Sequence, residues 1–222
     1  MKEFYFEDID STQDYAKKIY LENEKEFIVY ADRQSLGRGR NGRKWVSPDG
    51  GLWFSFDMKF VDIGGLFTMA IGVAIRDILE KIYSGEIKLK WPNDIIFNRK
   101  KVGGIICEKI NDRVIIGIGL NTNVKSIEEE NAETFFNCTG IEVNNYEIMK
   151  RIVNHCKEVV KFREKDIVKM FRENMAYRGE ICFVSAIKQN VKVLDIADNG
   201  YLIVEGDNGI EEVFAGEISV CI

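Results

Sequence analysis

Apolar and polar positions alternate at the start of the chain and then change to a helical spacing. Phe4 and Phe6 are separated by polar residues, which predicts a short opening strand. Asp10-Ser11-Thr12 then precedes a helix-like run over Gln13–Leu21, since Ser and Thr are frequent at helix starts. The apolar run Phe27–Ala31 predicts a buried second strand. The chain therefore begins as strand, helix, strand.

A long segment without apolar periodicity separates this unit from the next. It runs from Arg33 to Gly51 and is rich in Gly, Arg and Lys. Loops of this length in folded domains are usually functional or disordered. Regular patterning resumes with a strand predicted over Leu52–Met58 and a buried helix predicted over Leu66–Tyr83.

Three strand-like runs follow the buried helix. They are Ile87–Phe97, Val102–Ile110 and Arg113–Leu120, and short turn sequences join them. This favours an antiparallel meander, because parallel strands need longer crossovers. Apolar residues at helical spacing between Ile148 and Phe162 then predict an amphipathic helix.

The pattern changes again after Gly179, where short strands alternate with turn-forming sequences. Asp198-Asn199-Gly200 and Asp207-Asn208-Gly209 are both hairpin-turn signals. The predicted architecture is α+β, with a mixed, largely antiparallel sheet and helices in a main domain over residues 1–177. A small barrel-like domain is predicted over residues 178–222.

Composition narrows the class of protein. The 222 residues carry 31 Lys and Arg against 36 Asp and Glu, a net charge of −5, which argues against a general nucleic-acid coat. The single histidine, His155, excludes sites that need two imidazoles. Five widely spaced cysteines without a CxxC pair predict neither a disulfide framework nor a zinc site, so we expect a reducing, cytoplasmic location.

No membrane association or export is expected either. The N-terminus lacks the long apolar core of a signal peptide. The most apolar stretch, Leu66 to Ile75, is shorter than the about 20 residues that cross a bilayer.

The segment from Gln34 to Trp45 is the strongest candidate for chemistry. Counted from Arg33, five cationic side chains fall within twelve residues of an acidic protein, which predicts a local positive field and an anionic target. Gly37, Gly39 and Gly42 match GxGxxG, but no helix-forming sequence follows, so a dinucleotide fingerprint is rejected. A solvated surface loop is an equally good interpretation of this segment by itself.

Three later segments combine polar residues or glycines with strand-like sequence. Lys90-Trp91-Pro92-Asn93-Asp94 places a proline in a predicted strand, which indicates either a binding feature or an edge bulge. Lys101-Val102-Gly103-Gly104 and Gly117-Ile118-Gly119-Leu120-Asn121 carry glycines inside strands. Glycines there leave room for a ligand or for a packing bend.

Taken together and in order, these motifs resemble the biotin protein ligase family, in the form without an N-terminal DNA-binding domain. The matching residues extend from Asp10-Ser11-Thr12 to Gly216-Glu217-Ile218-Ser219, so the resemblance covers essentially the whole chain. It implies a class II synthetase-like catalytic domain followed by an SH3-like β-barrel. It also implies that biotin and MgATP form biotinyl-5′-AMP and that the biotinyl group is then transferred to a lysine of a biotin carboxyl carrier protein.

The resemblance also assigns roles to residues of this chain. Biotin contacts are implied for Ser11, Thr12, Gln13, Gln34, Gly37, Arg38, Gly39, Arg40, Lys101, Gly104 and Gly117. Contacts to ATP or the adenylate are implied for Arg40, Arg43, Trp45, Asn93, Lys101 and Asn121. The implied catalytic residues are Lys101, Arg40 and Arg38, and Asp94 is the candidate ligand of Mg²⁺. Helix capping is an alternative role for Ser11 and Thr12.

The chain departs from the family pattern in two places. Gln13 stands where many members have Asn, and Cys221-Ile222 is not followed by a basic tail. No residues precede Phe4 that could build a helix-turn-helix domain, so we expect no repressor activity and no nucleic-acid partner. A homodimer through a sheet edge is left open.

Two rival functions remain. A lipoate protein ligase would share the fold and adenylate chemistry, but its dithiolane ligand does not need the ureido partners that Gln34 and Ser11-Thr12 offer. A small-molecule or single-stranded nucleic-acid binding module would use residues 35–49, the arginine loop, as its contact and the C-terminal barrel as its platform. It would show salt-sensitive affinity and no ATP turnover.

Overall fold

A seven-stranded mixed sheet forms the centre of the computed structural model, which describes residues 1–129 and 131–220. Its strands are β1 (Lys2–Ile9), β2 (Phe27–Gln34), β3 (Leu52–Lys59), β4 (Ile87–Lys90), β5 (Asp94–Phe97), β6 (Lys100–Ile110) and β7 (Arg113–Leu120). The helices are α1 (Thr12–Leu21), α2 (Phe67–Leu79), α3 (Phe135–Thr139), α4 (Asn145–Val159) and α5 (Glu164–Glu173). A smaller sheet contains β8 (Ile181–Val184), β9 (Gln189–Ile196), β10 (Leu202–Gly206), β11 (Gly209–Val213) and β12 (Ile218–Val220).

The order of strands in the large sheet is β1-β2-β3-β7-β6-β5-β4. β1 and β2 are parallel, and all other neighbours in this sheet are antiparallel. The parallel pair requires a crossover, which α1 provides. The predicted α+β class, with a mixed and largely antiparallel sheet, is confirmed.

Alternation along the central strands divides the apolar residues between two faces of the sheet. Phe27 and Val29 of β2 pack with Ile115 of β7 against α1. Ile28 and Ile116 point to the opposite face, where α2, α4 and α5 cover the larger core. The face that carries α1 also carries the candidate site.

The predicted strand Ile87–Phe97 is wrong as a single element. It forms a hairpin in which β4 and β5 are antiparallel and Lys90 is paired with Asp94. The turn contains a cis peptide between Trp91 and Pro92. Pro92 has no N–H to contribute to a ladder, so the chain reverses where the pattern suggested continuity. The antiparallel meander over β5, β6 and β7 is confirmed.

The small C-terminal sheet has the order β11-β10-β9-β8-β12. Gly206 and Gly209 are paired, which confirms the hairpin turn predicted at Asp207-Asn208-Gly209. Within the residues that the structure describes, the two edge strands β11 and β12 do not pair, so the predicted small SH3-like barrel is an open five-stranded antiparallel sheet rather than a closed barrel.

The small sheet packs closely against the rest of the chain. Its apolar residues belong to the same cluster as those of the large core. The indole N–H of Trp91 donates to the carbonyl of Gly200 at 3.1 Å. The division into residues 1–177 and 178–222 stays a prediction. Among residues 1–129 and 131–220, no helix combines the length and apolarity that a membrane crossing requires.

Candidate active site

A cavity of about 220 Å³ lies where the arginine loop covers the α1 face of the large sheet. It is bounded by the start of α1, the loop, strands β3, β5, β6 and β7, and the segment of Glu217 and Ser219 near the C-terminus. Most of the predicted site residues line it: Thr12, Gln13, Gln34, Arg38, Gly39, Arg40, Arg43, Trp45, Asn93, Asp94, Lys101, Gly104 and Gly117. The fold therefore brings distant motifs to one place.

Hydrogen bonds define a polar end of the cavity. The Gln34 side-chain oxygen accepts from the backbone N–H of Thr12 at 2.8 Å and from its hydroxyl at 3.0 Å. The Gln34 amide donates to the Ser47 hydroxyl at 2.9 Å. Thr12 Oγ1 also lies 3.0 Å from the hydroxyl of Ser55. These hydrogen bonds orient the polar groups at this end of the cavity before any ligand binds.

Glycines on β6 and β7 leave room between the sheet and the loop that lies over it. Gly104 and Gly119 are paired across β6 and β7, and the ring of Trp45 lies over both of them. A Cβ at Gly119 would lie 2.6 Å from Trp45 Nε1, and one at Gly104 would lie 3.0 Å from Trp45 Cζ3. The missing side chains thus allow Trp45 to lie against the sheet, and Lys101 Nζ lies 5.1 Å from its ring centroid. Lone strand glycines here serve a close approach rather than a bend.

Asp94 connects two lysines at the base of the site. Its carboxylate lies 2.8 Å from Lys90 Nζ and 3.0 Å from Lys101 Nζ, and the residue is only 8% exposed. Burial raises the pKa of Asp94, but the charges of Lys90 and Lys101 and their hydrogen bonds outweigh it and hold the pKa below its usual range. Asp94 therefore stays ionised and holds Lys101 at the cavity wall.

The arginines of the loop are held by different elements. Arg40 Nη1 donates to the side-chain oxygen of Asn93 at 3.1 Å. Arg38 Nε lies 2.7 Å from a carboxylate oxygen of Asp14 on α1. A third loop arginine, Arg43, forms an ion pair with Glu217. The loop is thereby connected to the turn before β5, to the helix and to the C-terminal segment.

Three predicted site residues do not line the cavity. Ser11 is the N-cap of α1, and its hydroxyl accepts from the N–H of Asp14 at 3.3 Å, as its capping alternative predicts. Gly37 faces the Trp45 carbonyl, which a Cβ would approach to 2.4 Å. Asn121 is buried and donates to the carbonyl of Glu133 at 2.9 Å.

Other lining residues were not singled out from the sequence. Ser55 is a buried hydroxyl within the apolar strand β3, and its position in an apolar run is a signal that could have been noticed. Lys90 and Glu217 belong to motifs that carry the family resemblance, although the resemblance implies no role for either. Lys44, Gly119 and Ser219 lie in the same motifs, and Glu129 is a charged lining residue outside them. The others, such as Ile106, are apolar residues for which the sequence offers no functional signal.

The charges of the cavity suit an anionic ligand better than a resident metal ion. Lys101, Arg38, Arg40 and Arg43 supply cations that can bind carboxylate or phosphate groups. In the described ranges 1–129 and 131–220, no three metal-binding side chains are grouped. Both oxygens of Asp94 are engaged by lysines.

Comparisons with known proteins agree with this geometry. A family model described as "Biotin/lipoate A/B protein ligase family" matches residues 5–121. The chain belongs to this family. A second family model, "Biotin protein ligase C terminal domain", matches residues 187–220 of the same chain.

Individual relatives are similar over most or part of the chain. The bifunctional ligase/repressor BirA of Bacillus spizizenii is 30% identical over 97% of this chain and 73% of its own length. The biotin--[acetyl-CoA-carboxylase] ligase of Mycobacterium tuberculosis is 32% identical over 42% of this chain and 38% of its own. A solved structure of biotin protein ligase from Aquifex aeolicus in complex with biotin and ATP has a TM-score of 0.87 at 33% identity, covering 98% of this chain and 97% of the other.

Proposed function

We propose that this family member is an ATP-dependent biotin protein ligase. It activates biotin with MgATP to biotinyl-5′-AMP, releasing diphosphate, and transfers the biotinyl group to a lysine of a biotin carboxyl carrier protein, releasing AMP. The observation that carries this proposal is one cavity that joins six cationic side chains to a hydrogen-bonding end built on Thr12 and Gln34. The relatives and the ligand-bound Aquifex aeolicus structure support it.

The cationic side chains of the cavity lower the electrostatic repulsion that opposes the first step. A biotin carboxylate must approach an ATP α-phosphate although both are anions. Lys101, Arg38 and Arg40 lower that repulsion and stabilise charge at the reacting phosphorus, so no covalent enzyme intermediate is required. Asp94 and Asn93 act through them, because they hold Lys101 and Arg40 by direct contacts.

The polar end of the cavity is where we place the ureido ring of biotin. Thr12, Gln13 and Gln34 offer donors and acceptors there. Ser11 supports this end by capping the helix that presents Thr12 and Gln13. Gly39 and Gly117 line the cavity and leave room for the ring and its tail. Gly104 and Gly37 act through Trp45, whose ring lies against Gly104 and whose carbonyl lies against Gly37. Arg38, Arg40 and Lys101 complete the proposed biotin contacts.

We assign the nucleotide to Arg40, Arg43, Trp45, Asn93 and Lys101, with Asn121 behind them. Its phosphates meet the arginines and Lys101, and Trp45 supplies an aromatic surface. Asn121 carries a buried side-chain oxygen that accepts no hydrogen bond from the described residues. Mg²⁺ enters as part of the MgATP substrate, since such ions are often held by phosphates and at most one or two carboxylates. Asp94 is the candidate carboxylate, although both its oxygens contact lysines.

In the second step a carrier lysine attacks the acyl carbon of the adenylate. The same cations stabilise the departing AMP. We place the protein in the cytoplasm, where the thiols of Cys107, Cys138 and Cys156 remain reduced. The net charge of −5 supports the absence of a nucleic-acid partner. A homodimer is compatible with this function and is not required by it.

Transfer of labelled biotin to a purified carrier domain in the presence of MgATP tests the proposal. We expect label on the carrier only when biotin, MgATP and carrier are all present. A lipoate protein ligase is the second candidate, because the family model covers both activities. Exchange of labelled diphosphate into ATP that depends on lipoate but not on biotin would replace our proposal with that candidate.

A further inference from the structure

The side-chain amide of Gln13 forms its hydrogen bonds through its nitrogen. Its Nε2 donates to Glu108 Oε2 at 2.7 Å and to the carbonyl of Ile115 at 3.3 Å. Its Oε1 accepts no hydrogen bond from the residues that the structure describes, although Gln13 is buried. This oxygen lies beside Gly117, where a Cβ would come within 2.6 Å of it. Gln13 and Gly117 both line the cavity.

The two partners of Nε2 decide which way the amide faces. A carboxylate and a carbonyl are both acceptors, so the reversed amide would place Oε1 against two oxygens and lose both hydrogen bonds. Glu108 makes the shorter contact and carries the charge, which makes its hydrogen bond the stronger one. The Glu108 carboxylate therefore directs the Gln13 oxygen toward Gly117, which lines the cavity.

Glu108 is itself fixed in place. Its other oxygen lies 3.0 Å from Lys17 Nζ, and Lys17 lies 3.4 Å from Asp14. Asp14 in turn pairs with Arg38 of the loop at 2.7 Å. Glu108 does not line the cavity, so it reaches a ligand only through Gln13 or through this chain of charges.

We propose that Glu108 is a positioning residue that presents the Gln13 side-chain oxygen as a hydrogen-bond acceptor for an N–H group of the bound substrate. This inference deepens the proposed function and rests on it, because the ureido ring of biotin carries two N–H donors. A buried acceptor without a partner is costly. Gln13 therefore favours a ligand that donates a hydrogen bond over one, such as a dithiolane ring, that has no donor.

The test is calorimetric titration of biotin into Glu108 and Gln13 variants, combined with steady-state diphosphate exchange. We expect Glu108→Ala to weaken biotin binding about tenfold, the value of one directed hydrogen bond. The KM for ATP and the kcat at saturating biotin stay near wild type. Glu108→Gln keeps an oxygen acceptor and restores most of the affinity. Glu211→Ala, which removes an exposed carboxylate from β11, is the matched control.

The double variant separates positioning from a general effect. In a Gln13→Ala background, Glu108→Ala should cause no further loss of biotin affinity, because the oxygen that it directs is gone. Wild-type affinity in Glu108→Ala, or an undiminished loss in the Gln13→Ala background, overturns the positioning role while leaving the ligase proposal intact. A wild-type protein that binds no biotin overturns the proposed function instead, and this inference with it.

Discussion

Removal of the Lys101 ammonium is the sharpest perturbation that the site offers. At a contact distance of about 4 Å and an effective dielectric constant of about 20, one unit charge contributes about 4 kcal/mol to a neighbouring anion. We therefore expect Lys101→Ala to slow adenylate formation about a thousandfold. The cost to folding should be small, because Lys101 is one-third exposed and Asp94 keeps Lys90 at 2.8 Å.

The assay is single-turnover formation of biotinyl-5′-AMP at saturating biotin and MgATP, with the free energy of unfolding measured in urea. Lys88→Ala is the matched control, since Lys88 lies on β4, does not line the cavity and pairs with Glu86 at 3.6 Å. We expect the control to react at the wild-type rate. Lys101→Arg should recover part of the activity because it keeps the charge. A Lys101→Ala rate within threefold of wild type would refute the electrostatic role.

Three further outcomes test the same site. Asp94→Asn should lower the free energy of unfolding at pH 7 by about 3 kcal/mol. The pKa of Asp94 is lower in the folded protein than in the unfolded chain, so its stabilisation is present above the ordinary carboxyl range and disappears as the pH falls through the folded pKa. The free energies of unfolding of variant and wild type should therefore converge in acid. A difference in the free energy of unfolding that stays constant with pH would contradict this. Gly119→Ala should displace Trp45, shift tryptophan fluorescence and reduce activity. Gly72→Ala should have none of these effects, because a Cβ there would make contacts of ordinary van der Waals length. Trypsin should cleave the arginine loop, residues 35–49, in the free protein and be inhibited by biotin with MgATP; unchanged cleavage would exclude ordering of the loop.

Local patterns were sufficient for most of the secondary structure. Phe4, Phe6 and the run Phe27–Ala31 predicted the strands on either side of α1, which the structure confirms. The short helices α3 and α5 were not predicted. The sequence predicts one strand where the structure has a hairpin at Pro92, because the two strands of the hairpin share an apolar pattern. The reversal is evident only from the pairing of Lys90 with Asp94.

The candidate site was also partly predictable. Residue types that bind anions or allow close approach, such as Arg40, Lys101 and Gly104, are visible in the sequence as departures from the local pattern. The sequence marks Ser55 only as a single hydroxyl in an apolar strand, and its place in the site follows once its partner, Thr12, is known. The role of Glu108 could not be predicted at all, since its partner Gln13 lies 95 residues away.

The sequence by itself determined most of the elements, the family resemblance and the kinds of chemistry available, because periodicity and residue type are local properties. Only the tertiary structure decided which charges neutralise each other and which remain available to a ligand. Asp94 engages two lysines, Asp14 engages Arg38 and Glu108 orients Gln13, and each of these contacts depends on strands and helices that are brought together by the sheet. Hydrogen bonds and ion pairs act over a few ångströms, and that proximity is a property of the fold.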